Sequence, residues 1–162
     1  EAQQKGSDAM QQVTIGIGSI EIPDYLDRSQ MVIRSNHSEL QIDEFNRWAG
    51  SLKENILQVL AENLSLLLST DRVFAHPWMP DDAIKYWLHV EILRLDVIPG
   101  DAVTMKSHWT ILGDRGKKEY ITRTSEFTEK VSEQSYGVMV AAMSRTFEKL
   151  SREIASEIEK LK

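Results

Sequence analysis

The sequence predicts an α+β fold, a mainly antiparallel (mixed) β-sheet with two long amphipathic helices packed on one face. Three observations predict it. Successive segments between residues 84 and 127 alternate apolar and polar side chains with the period of two that half-buried strands require. Two other segments, Ser51–Leu68 and Ser132–Leu161, repeat their apolar residues at helical spacing. Turn chemistry at Pro99-Gly100-Asp101 and Gly113-Asp114-Arg115-Gly116 joins neighbouring strands directly, as an antiparallel meander demands.

The elements follow in order. Residues 1–12 are polar, with four glutamines, and predict a flexible linker; residues 13–162 predict a single domain. Val13, Ile15 and Ile17 alternate with Thr14, Gly16 and Gly18 in a first strand, whose glycines would admit a close neighbour. Pro23 ends it, and Asp24-Tyr25-Leu26-Asp27-Arg28 forms a compact loop. Two short strands are predicted at Met31–Arg34 and Glu39–Ile42, with Ser35-Asn36-His37 as the turn. Asp43 is expected to cap a turn containing Trp48. In the first helix Leu52, Ile56, Val59, Leu60, Asn63 and Leu67 form one stripe, and Ser51 with Glu54 makes a capping box.

Arg72–Ala75 is a short strand before Pro77 and Pro80. In Ile84–Val97 the apolar phase runs through Ile84, Tyr86, Leu88, Val90 and Ile92, then switches to Leu95 and Val97; a β-bulge near Leu93–Arg94 would explain the switch. Val103–Leu112 and Glu119–Phe127 complete the meander, with Ile121 and Phe127 on the core side. The last helix buries Tyr136, Met139, Val140, Met143, Phe147, Leu150, Ile154 and Ile158.

Composition narrows the function. The chain has 162 residues and a net charge of −6, with a pI near 5.3; an acidic chain without a Lys/Arg cluster argues against nucleic-acid binding. The absence of cysteine removes disulfides, thiolate metal sites and cysteine nucleophiles. No apolar run approaches the ~20 residues that span a bilayer. The polar start Glu1-Ala2-Gln3-Gln4-Lys5 is not a signal peptide, so either a cytosolic chain or one trimmed at its start is expected.

Reactive centres are not apparent. Gly16-Ile17-Gly18 lacks the third glycine and the helix of a dinucleotide site. Ser107 and His108 are adjacent on a strand and point to opposite faces. His37, His76, His89 and His108 show no helical ligand spacing. His108 is expected to pair near Leu93, leaving it four residues or roughly 13 Å from His89, too far to share a metal. Asp81-Asp82 and Asp24/Asp27 read as turn carboxylates. No catalytic residue, cofactor or metal is expected. Tyr25 and Leu26 stand out as apolar bodies in a charged loop. They fold back on the core or, with Arg28, anchor a partner. Trp48 and Trp78 pose the same choice, with the core favoured.

The same residues carry a resemblance. Ile17-Gly18-Ser19-Ile20-Glu21-Ile22-Pro23-Asp24-Tyr25-Leu26-Asp27-Arg28-Ser29-Gln30-Met31-Val32 resembles the Pro-x-Tyr-Leu-Asp-Arg-x-Gln-Ile/Met-Val signature of PqiC-type ABC-transport auxiliary lipoproteins. Asn46-Arg47-Trp48-Ala49-Gly50-Ser51-Leu52, Pro77-Trp78 and the closing helix with Ala141–Arg145 and Leu150–Ala155 are similar to further landmarks of that family, over roughly residues 13 to 160. The resemblance implies a non-enzymatic, periplasmic, membrane-anchored lipoprotein, at the outer membrane. It would serve an MCE/PqiABC-type intermembrane lipid-transport system that supports envelope integrity. An MCE-domain, PqiB-like protein and an integral membrane PqiA-like protein are the implied partners, and a homo-oligomeric ring is an assembly this reading allows. Asp24, Tyr25, Leu26, Asp27, Arg28 and Trp48 are then the partner-binding candidates. The lipobox cysteine and the aromatic Tyr-x-Leu strand of the family are missing, so the chain looks like a domain trimmed past its lipid anchor, with a sheet edge left unpaired. Two other readings compete: a lipid carrier sheltering an acyl chain near Met105, Met139, Met143 and Phe147, and an envelope hydrolase.

Overall fold

The computed structural model describes residues 13–27, 30–36, 39–47, 51–75 and 83–162. Seven strands and two helices follow in the order β1 (Ile15–Glu21), β2 (Gln30–Asn36), β3 (Glu39–Arg47), α1 (Leu52–Leu67), β4 (Val73–Ala75), β5 (Tyr86–Ile98), β6 (Ala102–Gly113), β7 (Lys118–Lys130) and α2 (Tyr136–Leu161). Five strands make one mixed sheet in the order β4-β1-β5-β6-β7, and β2 and β3 pair as a separate hairpin. The meander β5-β6-β7 is antiparallel, while β1 lies parallel to both β4 and β5.

Periodicity decides which face each strand buries. Leu88, Val90, Trp109 and Ile111 are nearly inaccessible on the side that meets the helices. Their alternates His89, Thr110, Thr122 and Thr124 are partly or fully exposed on the other side. The predicted bulge is present: Ile92 pairs with Ser107 but Arg94 with Lys106, so Leu93 is the extra residue. It is 39% exposed, and Leu95 and Val97 return to the core behind it.

Both helices cover the same face, α1 over β1 and β4 and α2 over β6 and β7. The Ser51 hydroxyl accepts the Glu54 N–H at 3.0 Å and starts α1 as expected. The buried stripe of α1 is Leu52, Ile56, Leu57, Leu60 and Leu64, rotated from the predicted one toward Leu57 and Leu64. Asn63 instead donates to the Ser151 hydroxyl of α2 at 3.2 Å. Helix α2 begins at Tyr136 and not at Ser132, with Ser135 as its cap. Val131 is still tied to the hairpin turn, its N–H bonded to the Asp101 carbonyl at 2.8 Å, so the chain turns before helix can form. Small residues Ala142, Thr146, Ser151 and Ala155 join the large ones in its buried stripe. One sequence expectation differs in the hairpin: Asp43 lies within β3, which continues to Arg47, paired with Gln30.

Charge fastens α2 to the sheet edge. Glu129 of β7 takes Lys149 and Arg145, while Arg123 reaches Glu157 at 3.0 Å. The Trp109 indole donates to Ser125 at 3.0 Å, and Ser125 in turn bonds Glu153 of α2. Hydrogen bonding from Lys149, and then from Arg145, holds the Glu129 carboxyl below its ordinary range, against an opposing push from burial. Glu157 is lowered in the same sense, first by Lys160.

Two predictions follow from these contacts. A carboxylate whose folded pKa is depressed stabilises fully above the ordinary value of 4.5 and loses that contribution as pH falls through the folded value. Resistance to urea should therefore fall as the pH is lowered from 5 to 3, and Glu129→Gln should flatten that dependence. A Cβ at Gly18 would lie 2.7 Å from the His89 ring. Gly18→Ala should cost about 1–3 kcal/mol in denaturant unfolding, with a displaced His89 imidazole signal.

Candidate functional site

The loop after β1 carries most of the predicted partner-binding residues. Pro23 holds extended backbone, and Asp24–Leu26 then closes one 3₁₀ turn, with the Leu26 N–H on the Pro23 carbonyl at 3.0 Å. Leu26 is 3% exposed and belongs to the core. Tyr25 is half-buried, and its hydroxyl accepts the Leu95 N–H at 3.2 Å. Asp24 and Asp27 face solvent. The loop thus folds its apolar residues inward and displays two carboxylates. Arg28 and Trp48 lie outside the described residues, as do His37, His76, Trp78, Asp81 and Asp82.

The reason Tyr25 finds an N–H there is the mismatch of strand lengths. β1 pairs with β5 only from Tyr86 to Glu91, so the following residues of β5 lack a β1 partner on that side. β2 packs against this stretch. Its Arg34 reaches Asp96 Oδ1 through Nε at 3.1 Å, and Arg94 binds Oδ2 of the same carboxylate. The Asp96 side chain is 2% exposed, against 20% for Arg34 and 47% for Arg94. Its hydrogen bond raises the Arg94 pKa above the ordinary guanidinium value, burial opposing. Asp96 was not among the predicted residues, although a lone acid between Leu95 and Val97, just behind a bulge, is a usable signal.

The outer face of the sheet carries a second cluster. Ser19, Glu21, His89, Glu91, His108 and Thr110 line a shallow hollow of about 190 Å³. His108 stands opposite Glu91, and not near Leu93 as expected, since the bulge and the tight Ile98–Ala102 turn set the register. It is thus two residues out of line with His89. The rings nevertheless diverge: His89 Nδ1 meets Ser19 Oγ of β1 at 2.8 Å, and His108 Nδ1 meets Thr124 Oγ1 of β7 at 2.9 Å. Among the described residues no three histidine or acidic side chains converge on a point where a metal could bind. Ser107, fully buried, points away from His108.

Between the helices lies an apolar groove of about 270 Å³, lined by Leu52, Ile56, Val59, Tyr136, Val140, Met143 and Phe147 among others. Of the four residues expected around an acyl chain, Met143 and Phe147 line it. Met105 and Met139 are packed in the core, 0% and 3% exposed. No helix among the described residues is long and apolar enough to cross a membrane.

Comparison with known proteins places this geometry. A family model described as ABC-type transport auxiliary lipoprotein component matches residues 1–155. No curated protein matches the sequence. Among solved structures, one described as an uncharacterized protein is 23% identical, with 91% of this chain and 92% of that chain covered and a TM-score of 0.78. Protein XCC0632 from Xanthomonas campestris is 14% identical over 93% of this chain and 89% of its own, with a TM-score of 0.74. A PelC dodecamer from Paraburkholderia phytofirmans is 11% identical over 88% and 87%, with a TM-score of 0.53. At these identities the likeness is one of fold.

The buried carboxylate sets an order of stabilities. Asp96→Ala removes the buried acid on which both guanidinium groups converge and should cost about 2–4 kcal/mol. Arg34→Ala leaves Asp96 with one partner and should cost less, and Arg94→Ala, which frees a largely solvated side chain, under about 1 kcal/mol. Tyr25→Phe removes one acceptor and should cost about 1 kcal/mol. Chemical denaturation of the four variants checks the order.

Proposed function

From the premise that the chain belongs to the family of ABC-type transport auxiliary lipoprotein components, we propose that it is a non-enzymatic, membrane-anchored periplasmic part of a Pqi-type intermembrane lipid-transport system. Anchored at the outer membrane, it works by contact with an MCE-domain, PqiB-like protein and a PqiA-like integral membrane protein. The observation that carries this reading is the family match over nearly the whole chain.

In this reading the Asp24–Arg28 loop and Trp48 form the contact surface. Tyr25 and Leu26 fix the shape of the turn, and Asp24 and Asp27, both exposed, meet the partner. A homo-oligomeric ring is part of the proposal; one solved structure of similar fold is described as a dodecamer.

Co-purification with the MCE-domain protein tests the contact. Asp24→Lys with Asp27→Lys should reduce recovery at least about tenfold, corresponding to loss of complementary charge, while the melting temperature stays put. Unchanged recovery removes the loop from the interface. A second reading, that the domain itself carries lipid, is favoured by the inter-helix groove with Met143 and Phe147. Native mass spectrometry after mild extraction distinguishes the two: retained lipid that disappears in Val140→Trp supports a carrier, and a bare protein mass excludes it.

A further inference from the structure

The sheet ends in two strands of different character. β7 is thirteen residues long and carries Lys118, Glu119, Arg123, Glu126, Glu129 and Lys130, several of them paired with α2. Charge of this kind blunts an edge against further pairing. β4 has three residues, Val73-Phe74-Ala75, none charged and all partly exposed. The Arg72 carbonyl accepts the Ile15 N–H at 2.9 Å. Alternation along the strand therefore turns the N–H and C=O of Val73 and Ala75 to the opposite side. No described strand pairs there.

The flank of α1 beside this edge is hollowed. One hollow of about 460 Å³ is lined by Ala61, Glu62, Ser65, Leu66 and Val73. A second, of about 320 Å³, shares Ala61 and Glu62 and reaches Leu57 and Ala75. Leu66 is 80% exposed, the largest exposure of any big apolar side chain among the described residues. Glu54 and Glu62 stand about two helical turns apart on the rim, and none of the described lining residues is basic.

We infer that the β4 edge and the α1 flank form a strand-addition site for an extended segment of a partner polypeptide with apolar side chains at alternate positions and a net positive charge. Outward main-chain groups select an extended backbone, which a helix with its own bonds satisfied could not use. The hollows receive every second side chain, and Ala61 and Ala75 leave the room for them. The acidic rim favours a basic segment and speeds its arrival.

The test titrates the full ¹⁵N-labelled chain with a capped eight-residue peptide alternating valine and lysine. Saturable shifts at Leu66, Val73 and Ala75 are expected, with slowed amide exchange at Val73 and Ala75. The valine–glutamate counterpart should bind about tenfold more weakly. Ala61→Leu, which fills the wall between the hollows, should weaken binding about tenfold at unchanged melting temperature; Leu66→Lys serves the same purpose if the first variant is destabilised. The inference is overturned by absent binding, by shifts confined to the groove between the helices, or by equal affinity for the two peptides. It is equally overturned if Val73 and Ala75 amides in the free protein exchange as slowly as those of β5, for the edge would then already be covered.

Discussion

Strand β5 is thirteen residues long and its parallel neighbour β1 only seven, so just over half of one edge of the central strand, from Ile92 onward, has no β1 partner. Buried backbone donors cannot be left unsatisfied cheaply. The chain answers with the segment that follows β1. Pro23 breaks the strand, a single 3₁₀ turn swings Tyr25 onto the Leu95 N–H and Leu26 into the core, and β2 packs alongside. The segment that carries the family signature is therefore first a structural plug. Its two exposed carboxylates are displayed on a turn held from beneath at both apolar positions.

Asp96 is the electrostatic side of the same solution. A carboxylate 2% exposed must be neutralised, and the two guanidinium groups that do so come from different elements, Arg34 from the hairpin and Arg94 from its own strand. Such a pair adds little net stability over an apolar replacement, but it punishes any arrangement that leaves the acid alone. It thereby specifies where a hairpin that shares no ladder with the main sheet must dock.

Elsewhere polar groups are consumed in the same way. On the outer face Thr104 meets Thr128, Thr110 meets Thr122, and His108 meets Thr124, each pair bridging β6 and β7. On the inner face Arg123, Glu129 and Glu157 fasten α2 to the edge strand. Groups tied to neighbours in this manner shape the surfaces of the domain.

The elements themselves were legible in the sequence because their signals are local. Alternation in residues 84–127, the Ser51 cap and the phase change at Leu93 each depend on a few adjacent residues, and the structure contains all three. Four other features depended on which distant strands meet. The sequence could not place β1 between β4 and β5, set the β2–β3 hairpin apart, seat His108 opposite Glu91, or bury Asp96 under Arg34. A period of two states which side chains share a face and is silent on the neighbour and register; those are chosen by long-range packing, which also seats Leu26, open in the sequence between core and anchor, in the core. Local patterning thus determined the strands, the helices and their inner faces, and tertiary packing alone decided which polar residues stand free to meet another molecule.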